Sequence, residues 1–175
     1  MEDHSASAEL PRPSRRLFYL GLVAALVTLA LDQASKLAIL DLFDGQQGRF
    51  MPVLPFFNLY LTYNRGITFG LFNDSDETTH ALIISGLALA IVAVLLVALA
   101  RVNAWYKAVA LGMIIGGALG NNLIDRLRLH GVVDFLDFHL GDAHFYVFNI
   151  GDSAICIGVG LLLLDSLLIR PESPK

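Results

Sequence analysis

An all-α integral membrane fold, with four transmembrane helices, a small extracytoplasmic β-sheet and a second extracytoplasmic loop, is the architecture this amino-acid sequence predicts. Three observations carry the expectation: an apolar composition, four long apolar stretches, and strand-like alternation confined to one segment between them. Of 175 residues, 55% are hydrophobic and 16% charged, with a mean hydropathy of +0.63. Soluble domains of this length carry more charge, so lipid is the expected solvent for much of the surface. A net charge of -4 excludes the broad basic field that holds phosphate backbones, and no nucleic-acid partner is expected. The single cysteine, Cys156, excludes an intrachain disulfide framework and a Cys-based zinc cluster.

A segment that crosses hydrocarbon must satisfy its backbone internally, which makes each apolar stretch a helix. The first runs from Leu17 to Leu31 and continues past Asp32 and Lys36 to Leu40. Ala81 to Ala100 forms a second, Ala108 to Ile124 a third without charge, and Ser153 to Ile169 a fourth interrupted by Asp165. The expected spans are 17–40, 81–100, 107–125 and 152–169, in one domain over 15–170. A polar tail over 1–14, with Pro11 and Pro13, precedes them, and a short tail over 171–175 follows.

Basic flanks set the orientation, because Lys and Arg resist translocation. Arg12, Arg15 and Arg16 precede the first span, Arg101 and Lys107 separate the second from the third, and Arg170 and Lys175 follow the fourth. Both termini are therefore expected in the cytoplasm, leaving 41–80 and 125–152 outside; Arg49, Arg65, Arg126 and Arg128 fall on that side and weaken the asymmetry. A cleaved secretory signal also fits the N-terminal pattern. Three further spans, and the extension of the first run through Leu37 to Leu40, favour an uncleaved helix.

Between the first two spans, Phe57, Leu59, Leu61 and Tyr63 alternate with Asn58, Tyr60, Thr62 and Asn64, which is strand periodicity. This predicts a small sheet over about 45–72 on the membrane surface, with turn chemistry at Asn64-Arg65-Gly66. The second outside segment should turn or form a short hairpin across His139 to His144. Gly112, Gly116 and Gly120 recur at four-residue spacing, a face that lets another helix approach closely.

Ionisable groups at a bilayer rim are costly unless paired or hydrated, so they are the first functional candidates. Here they gather on one side from four parts of the chain: Asp32 and Lys36; Asn64 and Arg65; Asn122, Asp125 and Arg126; and Asp134, Asn149 and Asp152. Asp32 with Lys36, and Asn122 with Asp125, each share a helix face. The same residues also fit a structural role as ion pairs and caps. Asp134 and Asp152 flank a short excursion between consecutive spans, so antiparallel neighbours would bring them together. Two close carboxylates share one proton, which suits them to water activation.

The runs Asp32-Gln-Ala-Ser-Lys36, Asn64-Arg-Gly-Ile-Thr-Phe-Gly70, Asn122-Leu-Ile-Asp-Arg126, Val132-Val-Asp-Phe135 and Phe148-Asn-Ile-Gly-Asp152 resemble, in order and spacing, the blocks of lipoprotein (type II) signal peptidases. The resemblance extends from about Leu17 to Ile169. It implies a multi-pass enzyme of the bacterial inner membrane with its active site on the extracytoplasmic side. Diacylglyceryl-modified prolipoproteins would be its substrates, cut before the lipidated cysteine. It also implies Asp134 and Asp152 as catalytic residues, and Asp32, Lys36, Asn64, Gly66, Asn122, Asp125, Arg126 and Asn149 as substrate-binding or supporting residues. Membrane lipid is the expected surrounding partner, with no cofactor, no metal and a monomeric state. Two departures stand out. Gly151 occupies a position where the family usually has Ala, and Gly120-Asn121-Asn122 is one residue longer than the usual Gly-Asn, so Asn122 is chosen over Asn121 by its distance from Asp125.

Three rivals compete. Asp134, Asp137, His139, Asp142 and His144 offer metal-ligating atoms, although no His-Glu-x-x-His helix is present; the plainer reading makes Asp137 and Asp142 solvated headgroup-level side chains. Cys156, in an apolar span with no basic neighbour, reads as packing rather than as a nucleophile. A transporter would need polar residues through the midplane, yet the second span offers only Ser85.

Overall fold

The computed structural model describes residues 14–66 and 77–168. The expected tails (Ser14 apart), the 67–70 half of the Asn64-to-Gly70 run and the far end of the expected sheet lie outside the described residues. Helix α1 spans Arg15–Leu42, α2 Glu77–Leu99, α3 Trp105–Leu119 and α5 Ile150–Leu168. A π-helical turn over Gly120–Asp125 and the short α4, Arg126–Leu129, prolong α3. Among the described residues, four helical segments are long and apolar enough to cross a membrane: Arg15–Leu42, Thr78–Leu99, Trp105–Leu129 and Ile150–Leu168.

The third segment is 56% buried and the others only 17–22%, which makes it the helix the rest pack around. Small residues allow that closeness. A methyl group at Gly112 would strike the Gly21 carbonyl and Ala24 of α1, and one at Gly116 would strike the Ala25 carbonyl and Thr28. On the other side, Gly158 of α5 rests on the Ala110 carbonyl of α3. The four-residue glycine spacing is therefore a packed face against α1, as the sequence suggests. The outer helix surfaces are apolar, with Leu26, Val94, Leu163 and Leu167 exposed, as expected where the solvent is hydrocarbon.

Both long connections meet at one end of the bundle. Strands β1 (Phe50–Leu54), β2 (Phe57–Asn64), β3 (Val132–Leu140) and β4 (Ala143–His144) form one antiparallel sheet in chain order. The two long connecting segments are thus parts of a single sheet, where sequence alone suggests a sheet and a separate loop. The β1–β2 reversal falls at Pro55-Phe56, and the β3–β4 hairpin turns at Gly141-Asp142. Asn64-Arg65-Gly66 instead closes the end of β2.

Leu61, Val133 and Phe135 pack with Ile39 and Phe43 of α1 and its following loop, joined by Leu59, Tyr63 and Leu136. A kink in β3 makes this possible: the Phe135 and Leu136 amides both donate to the Phe148 carbonyl, at 3.0 and 2.8 Å. That is bulge geometry, which turns two successive side chains toward the same core. The residues on either side of the bulge, Asp134 and Asp137, pair with Thr62 and Asn58 on the opposite face.

Candidate active site

The N-terminus of α5 is built around Asn149. Its side-chain oxygen accepts from the Asp152 amide at 2.9 Å, while Asp152 Oδ2 accepts from the Asn149 amide at 3.2 Å. This reciprocal pairing satisfies two helix-terminal donors and fixes the Asp152 carboxylate. The Asn149 Nδ2 group donates to Asp134 Oδ1 at 2.7 Å and to the Val133 carbonyl at 3.2 Å. One fully buried asparagine therefore touches both aspartates.

Asp134 is 2% exposed. Burial, reinforced by the negative charge of Asp152, pushes its carboxyl from 3.8 up to about 7, against the opposing hydrogen bonds from Asn149 and Asn64 and the attraction of Lys36. Asn64 reaches Asp134 from the end of β2, with its own oxygen held by the Gly66 amide at 3.0 Å.

Behind the aspartates, the Lys36 ammonium contacts three oxygens: Asp32 Oδ2 at 2.8 Å, Asp125 Oδ2 at 2.8 Å and Asn121 Oδ1 at 2.5 Å. Three acceptors match the three protons of an ammonium. Two buried carboxylates around one cation leave an excess negative charge, which neutral donors offset. The Gly151 amide donates to Asp32 at 2.8 Å, the Val133 amide to Asp125 at 3.1 Å, and Gln33 Nε2 to Asp125 at 2.9 Å. Because Lys36 holds the Asn121 oxygen, the Asn121 Nδ2 group must face the other way, and it donates to Asp152 Oδ1 at 2.7 Å.

Asn121, rather than Asn122, therefore reaches Asp152. The extra residue is absorbed as the π-helical turn, which rotates the face by one position. The Asn122 side chain accepts from Arg126 Nε at 3.4 Å, and its backbone carbonyl accepts at 2.6 Å from the buried hydroxyl of Ser85, the one polar residue of 81–100. Arg126 also donates to the Arg65 carbonyl at 3.2 Å. Gly66 has φ +72, and a Cβ there would sit 2.9 Å from the Arg126 guanidinium, so both its backbone and its space call for glycine.

Asp32, Lys36, Asn64, Asn121, Asp125, Asp134, Asn149 and Asp152 thus form one connected network, while Gly66, Asn122 and Arg126 lie along its edge. Asn121, and Gln33, which joins the network through Asp32 and Asp125, are not among the residues that the sequence motifs single out. Asn121 was visible as half of an Asn-Asn pair, whereas nothing in the helical period distinguishes Gln33.

The rival groupings fare differently. Asp142 is exposed at the hairpin turn, but Asp137 is only 4% exposed, which corrects its reading as a solvated side chain. The β3 bulge turns it into a pocket, where it accepts from Asn58 at 2.9 Å and pairs with His144 Nδ1 at 2.8 Å. Burial alone would raise its carboxyl, yet the bonds from His144 and Asn58 hold it below the usual value. Among the described residues, no three His, Cys, Asp or Glu side chains are grouped to hold a metal ion. Cys156 is exposed on the outer face of α5 instead of packed.

Four membrane-length helices and a polar network that closes on two aspartates at one end of the bundle define a multi-pass membrane protein that carries the groups acid–base chemistry requires. Comparison with known proteins narrows the class. Residues 24–168 match the family model described as signal peptidase (SPase) II. The chain is 45% identical over 156 residues to a lipoprotein signal peptidase of Rhodopseudomonas palustris (strain TIE-1), covering 87% of this chain and 94% of that one. It is 46% identical over 145 residues to a lipoprotein signal peptidase of Caulobacter vibrioides, covering 82% and 84%. A solved bacterial membrane enzyme, determined by the in meso method at 1.9 Å resolution, superposes with a TM-score of 0.71 at 29% identity, covering 86% of this chain and 94% of that one. The chain belongs to the signal peptidase II family of aspartic-type membrane peptidases.

Proposed function

We propose that this protein cuts diacylglyceryl-modified prolipoproteins immediately before the lipid-bearing cysteine, using water activated by Asp134 and Asp152. Family membership implies the broader activity, removal of signal peptides from prolipoproteins. The observation that carries the finer reading is the Asn149 bridge, which holds two aspartates in one buried arrangement at a membrane rim.

Each oxygen of Asp152 accepts a hydrogen bond, from Asn121 or from the Asn149 amide, which favours its ionised form as the base. Asp134, with its raised carboxyl, carries the shared proton. Water gives a proton to Asp152 as its oxygen attacks the scissile carbonyl, and Asp134 protonates the carbonyl oxygen to give a tetrahedral diol. On collapse, Asp152 returns its proton to the leaving nitrogen, the carbon–nitrogen bond breaks, and a diol proton goes back to Asp134. The products are the signal peptide's carboxyl end and the free amine of the lipidated cysteine.

We place the sheet end outside the cytoplasmic membrane and both termini inside, since Arg15, Arg16, Arg101 and Lys107 lie at the opposite end of the bundle. One chain supplies both aspartates, so a monomer suffices. Purified protein incubated with a lipidated precursor should release the intact signal peptide, detected by mass. Turnover by an Asp134→Asn or Asp152→Asn protein would eliminate the dyad mechanism.

A further inference from the structure

We propose that the pocket around Asp137 is a substrate subsite, which receives the mature polypeptide about three residues beyond the cut. This rests on the peptidase reading above and adds a specificity site to it.

Asp134 and Asp137 share the sheet face opposite the core, because the bulge at Phe135 and Leu136 turns the residues between them inward. Three residues along a strand cover about 10 Å, so an extended peptide with its scissile bond at Asp134 brings its third neighbour to Asp137. A cavity of about 530 Å³ lies there, with Asn58, Tyr60, His139 and His144 in its wall beside Asp137. Its polar groups are organised. His144 and Asn58 hold the Asp137 carboxylate, His139 stacks on His144 with ring centroids 4.9 Å apart, and the buried His139 Nε2 has no hydrogen-bond partner. That nitrogen is closed off, so a ligand in the cavity would meet the half-exposed His144 ring, held in place by Asp137.

The direction of the substrate follows from its chemistry. The signal peptide before the cut is apolar and favours the bilayer. This cavity, by contrast, is walled by the sheet strands, Phe50 included, by the β3–β4 hairpin and by Val147 beyond it, with no described residue from the membrane-length helices. It therefore faces the chain that leaves the membrane after the lipidated residue.

Two lipidated peptides test the proposal with the full-length enzyme in detergent, one ending a single residue after the cysteine and the other about five residues after it. The wild type should cleave the longer with a kcat/KM about tenfold higher, mainly through a lower KM. In Asp137→Asn and His144→Ala the ratio between the two peptides should shrink to about twofold or less. Equal cleavage of both by the wild type, or variants that slow both alike, would overturn the subsite while leaving the peptidase reading intact. Cleavage of neither by the wild type would overturn both. As a check independent of variant folding, a photoreactive group on the third residue of the longer peptide should cross-link within 137–144 of full-length Asp152→Asn protein; cross-links elsewhere would overturn the placement.

Discussion

The two ends of the helix bundle both carry a Lys–Asp bridge, and they are organised in opposite ways. At the sheet end, Lys36 is 2% exposed and its partners Asp32 and Asp125 are 0% and 4%, and each carboxylate has further donors. At the far end, Lys107 and Asp165 meet at 2.7 Å with 25% and 14% exposure, joined among the described residues by the Tyr106 hydroxyl. The first arrangement is desolvated and interlocked, so each member depends on the others. The second is a local clamp in contact with its surroundings, where exchange with water or headgroups limits its worth. The difference separates a site from a brace.

Replacing the reacting groups should have the largest effect. Asp134→Asn and Asp152→Asn are each expected to lower kcat by about a thousandfold or more, and under the proposed mechanism, in which the two carboxylates act as one unit, the double variant should be no worse than either. Single-turnover assays on the three proteins would check this. Additive losses would mean that the pair does not work together.

Removing the central cation comes next. Lys36→Met leaves Asp32 and Asp125 buried without their counter-ion, a change that costs about 3–5 kcal/mol where such pairs are broken. Folded yield and thermal stability in detergent should both fall. Unchanged stability would show that the rim is wetter than its exposures indicate.

The dyad's proton gives a pH signature. Asp134 titrates near 7 in the folded protein against an ordinary 3.8, so the mechanism should lose rate above about pH 7, roughly tenfold per unit once the shared proton is gone. The sign for stability is the same. Between 3.8 and about 7 the folded state binds more protons than the unfolded state, so this carboxyl's contribution to stability is present at low pH and lost as pH rises through that window. A rate that keeps rising through pH 8 would contradict the assignment of the proton to Asp134.

How far the sequence foretold this comparison depends on which residues are considered. The four helices follow from runs of apolar residues that only lipid tolerates, and the Gly112–Gly116 face from spacing alone. Asp134 and Asp152 were legible because charge is rare at a rim and because family-like blocks surround both. The single four-stranded sheet was not legible, since β2 and β3 are separated by two spans and pairing over that distance leaves no local pattern. Nor was Asp137: strict alternation says nothing of a bulge, and the bulge is what buries it. The π-helical turn misled in the same way, because a regular helix puts Asn122 on the face of Asp125, whereas one inserted position brings Asn121 to Lys36 and Asp152 instead. Asn121→Ala should therefore cost about tenfold or more in kcat, and Asn122→Ala clearly less; the reverse order would restore the reading by helical spacing.

The smallest effect is expected at the far brace. Asp165→Asn keeps the shape of the side chain and one acceptor oxygen, which serves Tyr106 or Lys107 in turn, while removing the charge. If the bridge is a local clamp, kcat and KM on a lipidated precursor should stay within about twofold of the wild type, and Tm in detergent should move by no more than about 2 °C. Raising the salt concentration should narrow even that difference, because partly exposed charges are screened. The same conservative change at Asp32 removes a charge that Lys36, the Gly151 amide and Gln33 all hold, so it should lower activity far more. If Asp165→Asn and Asp32→Asn lost activity equally, the contrast between the two ends would collapse, and the Lys107 bridge would have to be counted as part of the machinery that positions α5 and its Asp152.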